Sequence, residues 1–232
     1  ANPELAARFH EYMSGKAANP ELAARFHEYM SGKAPEIDYQ AIAHKANIAT
    51  RAASANVLVE LAKQVDNMIV SSADLSNSDK TDGFIKGGAR NLVKGDFSGK
   101  FLQAGVAELT MATICNGIAL HGGIHVACGT FFVFSDYMKP AFRLSALMEL
   151  PVKYIWSHDA FRVGEDGPTH QPIEHEAQLR LMEKMQNHSG KMSLLALRPA
   201  DAAETSVAWK MAMANTSTPT ALILSRQNIN DL

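Results

Sequence analysis

Apolar and polar positions along this chain predict strands and helices in alternation from about residue 41 onward. Short apolar runs typical of buried strands lie near 67–71, 124–129, 152–157, 193–197 and 221–224. Longer stretches compatible with helices lie near 47–65, 105–121, 131–149, 173–186 and 201–214. Since strands that alternate with helices form parallel sheets covered on both faces, the pattern predicts an α/β fold with three layers, α/β/α, and a mostly parallel sheet.

Two polar segments interrupt the alternation. Residues 76–100 are rich in Gly, Asp, Lys and Ser, which predicts a mobile, poorly ordered loop between the first helix–strand unit and the next helix. Residues 183–191, EKMQNHSGK, are also polar and predict an exposed loop. Neither segment has the apolar periodicity of a core element, so we expect both to lie on the surface.

The chain begins with the same 17 residues written twice, because 1–17 and 18–34 are identical. Repeat proteins have diverged copies and need several of them to close a core, so we interpret the duplication as an artefact of cloning, sequencing or recording. Each copy has helix signals: Asn as N-cap, Pro at the first helical position and Gly near the end. Two identical segments cannot occupy one docking groove, so we expect the first copy not to be an ordered helix. We therefore expect the chain to consist of a connector helix region at 1–40 and one domain at 41–232.

Composition and charge exclude several classes of function. The 232 residues are 47% hydrophobic and 20% charged, as in an ordinary globular protein. A net charge of −2 provides no field for nucleic acid or an anionic membrane, and no apolar run reaches the length of a bilayer span. Cys115 and Cys128 lie in apolar stretches and are expected to be small buried side chains. A cytoplasmic location is therefore the expectation.

The segment GEDGPTHQP at 164–172 concentrates chemically useful side chains. It places Glu165, Asp166 and His170 within one short loop that glycines bend and prolines stiffen. Such a loop could be no more than a polar turn. It follows the predicted strand at 152–157, however, and ligands of open α/β sheets gather beyond the carboxyl ends of strands. This position favours a binding loop.

This loop, together with SHD at 157–159, resembles the middle, pyrimidine-binding domain of transketolases, which use thiamine diphosphate. The resemblance runs from about Ile48 to Asn228 and includes seven further blocks in the family's order: ATRAAS (49–54), SADLSNS (72–78), GVAELTMA (105–112), ALHGG (119–123), GTFFVFSDY (129–137), LRPAD (197–201) and LILSRQN (222–228). It implies transfer of a two-carbon ketol unit between ketose and aldose phosphates, in the pentose phosphate pathway.

Glu108 is the residue to which the resemblance assigns activation of the cofactor. It lies early in a predicted helix, where a carboxylate often does no more than balance the positive helix N-terminus. In the family, its counterpart hydrogen-bonds a ring nitrogen of the aminopyrimidine and so allows the cofactor to lose its thiazolium proton. That chemistry requires a carboxyl group able to share a proton in an apolar pocket.

Aromatic residues are implied to form the slot for the aminopyrimidine. Phe131, Phe134 and Tyr137 recur at three-residue spacing on a predicted helix, a pattern that more commonly indicates core packing. By resemblance they hold the flat ring, and Asp74 and Leu75 flank the cofactor. We expect the surface around Phe131 and Phe134 to be exposed or self-associated when the rest of the cofactor site is absent.

The substrate contacts are also implied by the resemblance. A sugar phosphate would be held by two arginines, a serine and a histidine, and the donor's hydroxyls and carbonyl oxygen by a carboxylate and a second histidine: Arg51, Arg198, Ser78, His158, Asp166 and His170. The two histidines are the catalytic candidates beside Glu108, and His170 is the better one for proton transfer because imidazole titrates near neutrality. The other histidines, His121, His125, His175 and His188 among them, are assigned structural or surface roles.

The sequence contains no Gly-Asp-Gly motif of the kind that, in this family, helps to hold Mg²⁺ or Ca²⁺ on the cofactor's diphosphate. No metal ligand is therefore assigned, and the chain is expected to supply only the pyrimidine half of the site. The implied partners are a diphosphate-binding domain, a C-terminal domain and a second copy in a homodimer. Two alternatives remain open. One is a related ketol transferase such as dihydroxyacetone synthase, which would accept formaldehyde; the other is a non-catalytic binding or assembly module.

Overall fold

A single parallel sheet forms the centre of this computed structural model, which describes residues 3–14 and 19–232, without the side chains of Leu5, Tyr12 and Met13. Its strand order is β2-β1-β3-β4-β6-β5, and every neighbouring pair is parallel. The strands are β1 Met68–Ser72, β2 Phe101–Gln103, β3 His125–Phe131, β4 Lys153–Ser157, β5 Leu195–Leu197 and β6 Thr220–Leu224. The predicted parallel α/β sheet is confirmed.

Helices cover both faces of this sheet. The α-helices are α1 Pro3–Met13, α2 Pro20–Met30, α3 Thr50–Gln64, α4 Ser76–Asp79, α5 Asp82–Lys86, α6 Glu108–His121, α7 Ser135–Leu147, α8 His175–Glu183 and α9 Ala202–Ala214. Short 3-10 turns occur at Tyr39–Ala41, Phe132–Phe134 and Pro168–His170. Among the described residues, no helix combines the length and the hydropathy needed to span a bilayer.

Two hydrophobic cores lie on opposite faces of the sheet, as the alternating direction of side chains along a strand requires. On β4, Tyr154 and Trp156 are buried in one core, beneath α6 and α7. Ile155 faces the other core, where it lies in the same cluster as Leu58 of α3 and Trp209 of α9. The Trp209 indole N–H donates to Ser54 Oγ at 2.9 Å, so its one polar group is satisfied. This arrangement confirms the three-layer prediction.

The prediction of a mobile loop at 76–100 is wrong for much of that segment. Its first half forms α4 and α5, and Phe84 in α5 is fully buried. Next comes β2, a three-residue strand that the apolar pattern missed. The segment 183–191, in contrast, is largely exposed, as expected.

The predicted helix 131–149 begins later than expected. Phe131 is the last residue of β3, and Phe134 lies in the 3-10 turn. Of the three aromatics only Tyr137 belongs to α7, which begins at Ser135. The aromatic residues therefore do not form one helical stripe. They follow the bend by which the chain leaves the sheet.

Both copies of the duplicated segment are helical, which corrects the expectation that the first would not form a helix. They differ in burial. In α2, Ala23 is 1% exposed, and Arg25 Nη2 lies 2.5 Å from Asp66 Oδ2 in the connection between α3 and β1. In α1, Phe9 is 56% exposed. The second copy thus lies against the domain.

Candidate functional site

The candidate residues gather where the parallel strands end. All strands point the same way, so their carboxyl ends share one edge of the sheet. Asp74 follows β1 and His158 follows β4, each with a backbone φ of +63°, an uncommon conformation for residues other than glycine. Phe131 ends β3, and Arg226 lies two residues after β6. The sheet therefore presents polar and aromatic groups at one edge.

His158 lies at the centre of this group. Its side chain is 1% exposed, and its ring stacks on Phe131 with centroids 3.6 Å apart. The Ser157 hydroxyl is 2.9 Å from Nδ1, and an oxygen of Asp166 is 3.7 Å from Nε2. Burial, followed by the nearby charges of Arg51 and Arg226, lowers the pKa of His158 to about 3. His158 is consequently a neutral imidazole at neutral pH.

The aromatic residues surround His170 as well as His158. The Phe131 and Phe134 rings are stacked with centroids 5.8 Å apart, and Tyr137 lies 6.0 Å from Phe134. The His170 ring meets the edge of Phe134 at 5.3 Å. Phe131 is only 8% exposed, whereas Tyr137 is 62% exposed. The expectation of an exposed surface around Phe131 is therefore wrong for Phe131 itself, which His158 covers, and the accessible ring is that of Tyr137.

Arg51 and Ser78 are brought together as the resemblance implies. The Arg51 guanidinium donates to the Ser78 carbonyl oxygen at 2.6 Å and to its hydroxyl at 3.4 Å. Burial, followed by the neighbouring charge of Arg226, lowers the pKa of Arg51, while Asp166 opposes the shift. Arg51 lies near the start of α3, where a surface position would be ordinary, but here it is partly buried and next to a second cation.

That second cation, Arg226, is a residue that sequence reasoning missed. Its guanidinium pairs with Glu165, and its Nε lies 3.6 Å from Asp166 Oδ2. Gln227 also donates to Glu165, at 2.9 Å. The GEDGPTHQP loop is thus held against the end of β6 by its own carboxylates. The sequence did contain a signal for Arg226, because this residue lies in the LILSRQN block just beyond a predicted strand.

Arg198 occupies a neighbouring position. Its Nη2 lies 3.1 Å from Asp159 Oδ2, and its Nη1 pairs with Glu176 of α8. Asp159 directly follows His158, so Arg198 approaches the site from the β5 side. The structure places Arg226, and not Arg198, among the charges that act on His158 and Arg51.

Glu108 and the residues after β1 line the other side of the same edge. Glu108 is the first residue of α6 and is 7% exposed. Among the described residues, no side-chain hydrogen bond or ion pair joins its carboxylate to the cluster. Asp74 is exposed and Leu75 is half-buried. Both follow β1, which pairs with β3, so they lie close to the end of that strand. Within the part of the chain that the structure describes, these residues share the edge with His158 without a hydrogen bond or ion pair to it.

A second buried acid, Asp79, was also missed. It is 1% exposed and accepts hydrogen bonds from Ser72 Oγ at 2.7 Å, from the Thr81 hydroxyl at 2.7 Å and from the Thr81 amide at 2.8 Å. Burial raises the pKa of Asp79 to about 6 despite these bonds. Asp79 fixes the turn after β1, directly behind Ser78.

Taken as chemistry, the cluster suits a phosphorylated ligand beside a flat ring. Two arginines, a serine hydroxyl and a neutral histidine can hold a phosphate through charge-assisted hydrogen bonds. Phe134 and Tyr137 offer aromatic faces, and the half-covered His170 can exchange a proton. The arrangement therefore suits an anionic, phosphorylated ligand next to a planar ring.

Comparisons with known proteins agree with this chemistry. The family model "Transketolase, pyrimidine binding domain" matches residues 46–231. A transketolase of Geobacillus stearothermophilus is 45% identical over 232 residues, which is 100% of this chain and 31% of the relative. The chain thus spans about a third of the length of the curated relatives it matches.

Two solved structures add detail. A Pichia stipitis transketolase in complex with sedoheptulose-7-phosphate superimposes with a TM-score of 0.85 at 36% identity, over 99% of this chain and 34% of that one. A split-gene transketolase described as an inactive beta4 tetramer superimposes with a TM-score of 0.60 at 29% identity, over 80% of this chain and 54% of that one.

Proposed function

This chain belongs to the transketolase family, whose pyrimidine-binding domain it carries, and we propose that it provides half of an active site for ketol transfer. The reaction is transfer of a two-carbon ketol unit from a ketose phosphate to an aldose phosphate. A cytoplasmic location and a place in the pentose phosphate pathway are parts of the same proposal. The observation that carries it is the convergence of Arg51, Arg226, His158 and Phe131 at one edge of the sheet.

Thiamine diphosphate is the proposed cofactor, and this chain's residues fit its aminopyrimidine. When bound, the cofactor supplies a carbon nucleophile that attacks the ketose carbonyl. Glu108 is nearly buried at the start of α6 and would share a proton with a ring nitrogen of the aminopyrimidine. Phe134 and Tyr137, whose rings are in contact, would pack against the aminopyrimidine, and Asp74 and Leu75 would flank it. A partner domain binds the diphosphate through Mg²⁺ or Ca²⁺, because so concentrated a charge requires a cation.

The substrate's phosphate is assigned to the cationic side of the cluster. Arg51, Arg226 and Ser78 donate to its oxygens, and the neutral His158 donates one further hydrogen bond. Arg198 extends the same side from the end of β5. The similar Pichia stipitis protein has been solved with sedoheptulose-7-phosphate, which supports this substrate class.

The sugar's own functional groups are assigned to the GEDGPTHQP loop. Asp166 accepts hydrogen bonds from hydroxyls of the donor, and its buried Oδ2, which has no hydrogen-bond partner in the structure, is suited to accept one. His170 is half-buried against Phe134 and moves a proton at the donor's oxygen. Since Glu165 and Asp166 also pair with Arg226, substrate binding couples the loop to the phosphate side.

Pairing of two copies is the proposed assembly, together with the diphosphate-binding and C-terminal domains of the complete enzyme. Four apolar side chains are exposed on and just before α6: Val106, which precedes the helix, at 79%, Leu109 at 47%, Ile114 at 41% and Leu120 at 62%. Leu109 and Leu120 are about three turns apart and share one face of the helix, whereas Ile114 lies on another face. Exposed apolar side chains of this kind mark a contact surface. It begins beside Glu108, so a copy that covers it would also enclose the cofactor-activating carboxylate.

The test of this function is Glu108→Gln in the enzyme reassembled with a diphosphate-binding domain. Glutamine keeps the shape but cannot share a proton, so turnover should fall by several orders of magnitude while the fold is retained. Proton exchange at the cofactor's thiazolium carbon, followed by NMR, measures the step itself. Exchange in Glu108→Gln at the rate of the unmodified enzyme would show that Glu108 does not activate the cofactor and would refute the proposed reaction chemistry.

A further inference from the structure

Three possible metal ligands meet where α7 and α8 begin. Asp136 is the second residue of α7, Glu174 immediately precedes α8, and His175 is its first residue. One carboxylate oxygen from each acid and one ring nitrogen of His175 lie within 4.8 Å of one another. None of the three has a part in the proposed ketol transfer.

The His175 ring is held in one tautomer. Its Nε2 lies 3.1 Å from the Val133 carbonyl oxygen and 3.2 Å from Asp136 Oδ2. A carbonyl oxygen can only accept a hydrogen bond, so Nε2 bears the proton and donates it. In the neutral ring, the other nitrogen, Nδ1, then has a free lone pair.

That lone pair is buried without a partner. His175 is 4% exposed, and its Nδ1 makes no hydrogen bond in the structure. The nearest acid is Glu174, whose Oε2 is 3.8 Å from Nδ1, beyond hydrogen-bond distance. A buried acceptor left unpaired costs free energy, and such groups in native proteins call for an explanation such as a bound ion.

The separation of these two atoms suits an ion between them. A transition metal binds histidine nitrogen and carboxylate oxygen at about 2.0–2.2 Å, so two ligands of one ion lie roughly 3–4 Å apart. Metal-bound histidines nearly always donate their other N–H to a carbonyl or carboxylate, and His175 does so to Val133 and Asp136. We propose that Asp136, Glu174 and His175 form a binding site for a divalent transition ion of the Zn²⁺ class.

In this site, His175 Nδ1 and Glu174 bind the ion, Asp136 orients the ring through Nε2–H, and water completes the coordination. The acids are accessible, since the Glu174 side chain is 61% exposed and that of Asp136 48%. The nearby Lys139 amine donates a hydrogen bond to the Gln178 side-chain oxygen. A mixed imidazole and carboxylate set favours Zn²⁺, Co²⁺ or Mn²⁺ over Mg²⁺, which prefers oxygen ligands alone.

The expected consequence is a stabilised start of α8, since both ligands, Glu174 and His175, lie there. His175 meets Phe132 edge-on with ring centroids 5.6 Å apart, and it bonds to Val133 in the same 3-10 turn that carries Phe134. Binding of the ion would fix the His175 ring and so support the contact that this ring already makes with that turn.

The experiment is calorimetric titration of the 232-residue chain with ZnCl₂, together with visible absorption on addition of Co²⁺. We expect one saturable Zn²⁺ site that excess Mg²⁺ does not displace. At a hundredfold excess over the dissociation constant, the melting temperature should rise by roughly 5–10 °C. Absence of saturable Zn²⁺ binding at micromolar concentration would overturn the proposal.

Variants locate the ion. Glu174→Gln changes an exposed side chain that leaves the core intact, so it should retain the fold and lose at least tenfold in affinity. His175→Ala should abolish binding, and Asp136→Asn should weaken it by about 10–100-fold, as for other residues that orient a ligand. His121→Ala, at an exposed histidine outside the cluster, serves as the control and should bind as the unmodified chain does. Equal affinity in Glu174→Gln and the unmodified chain would place the ion elsewhere and refute the site.

Discussion

His158 shows how much of a residue's chemistry depends on its surroundings. The sequence marks it only as a histidine after a strand. In the structure it combines a left-handed backbone, nearly complete burial and a stack on Phe131 with two arginines nearby. These constraints hold it neutral, so its proposed role is that of a fixed hydrogen-bonding group, and proton transfer is proposed for the more accessible His170.

Loss of Arg51 or Arg226 should selectively weaken the binding of phosphorylated substrates. Replacing either by Ala removes a charge-assisted contact worth about 1.5–3 kcal/mol, or roughly ten- to a hundredfold in KM. Arg198→Ala should act in the same direction but more weakly, because Arg226, and not Arg198, is among the charges that act on His158 and Arg51. Steady-state kinetics on the reassembled enzyme, with phosphorylated and unphosphorylated donors, provides the measurement.

The control for this series is Arg90→Ala, since Arg90 is an exposed arginine that contacts Ser98 and Asp96 in a surface turn. Its kinetics should match those of the unmodified enzyme. Equal losses on phosphorylated and unphosphorylated donors in Arg51→Ala and Arg226→Ala would show that these arginines support the fold instead of binding phosphate.

The buried carboxyl group of Asp79 should make the stability of the chain depend on pH. Its pKa is raised from 3.8 unfolded to about 6 folded, so the folded chain holds more protons between those values and loses stability as pH rises through them. Between pH 5 and pH 7 this amounts to about 1 kcal/mol. Asp79→Asn should remove that part of the decline. Denaturant unfolding at both pH values tests it, and an identical decline in the variant would exclude Asp79 as its source.

At the scale of elements, the regular apolar pattern predicted most of the helices and strands, and the exceptions have physical causes. β4 is buried on both faces and its apolar run is unmistakable, whereas β2 has only three residues and lies at the edge of the sheet. The short helices α4 and α5 arise from tertiary contacts. Phe84 packs into the core and Asp79 caps a turn, and no periodicity over four or five residues reveals that.

The candidate site, like the fold, could be predicted from the sequence only in part. Residues within recognisable blocks, such as Arg51 and Ser78, were predicted to lie together, and they do. Arg226 could not be ranked above Arg198 from sequence, because both follow strands, and only the sheet order shows which one faces His158. The duplicated helices make a similar point, since one sequence is docked in α2 and exposed in α1.

Packing of α5 on α3 gives a prediction at this scale. A Cβ on Gly83 would lie 2.4 Å from the Ala55 carbonyl oxygen, a contact that rigid backbone cannot relieve. Gly83→Ala should therefore destabilise the chain by about 1–3 kcal/mol. The matched control is Gly117→Ala in α6, where a Cβ meets nothing within 4 Å and the helix should gain up to about 1 kcal/mol. Chemical denaturation of both variants at low protein concentration measures their free energies of unfolding. Equal values for Gly83→Ala and Gly117→Ala would refute the close packing of α5 on α3.

At the scale of the whole molecule, the candidate residues lie on one side. The cluster of Arg51, Arg226 and His158, the aromatic residues and Glu108 share one edge of the sheet, next to the exposed apolar side chains of α6, and Tyr137 is exposed. The proposal that this edge closes against a diphosphate-binding domain explains why a carboxylate and an accessible aromatic ring lie beside an apolar helix face. It also makes the chain dependent on that domain for the cofactor's diphosphate.

Calorimetric titration of the chain with thiamine diphosphate and Mg²⁺, alone and then with an added diphosphate-binding domain, is the decisive test of whether this chain carries only half of the cofactor site. We expect a folded chain with no binding at micromolar cofactor, because only the aminopyrimidine half of the site is present. Saturable binding and ketol transfer should appear once the second domain is added. Micromolar binding of thiamine diphosphate, or ketol transfer, by the chain alone would contradict the account.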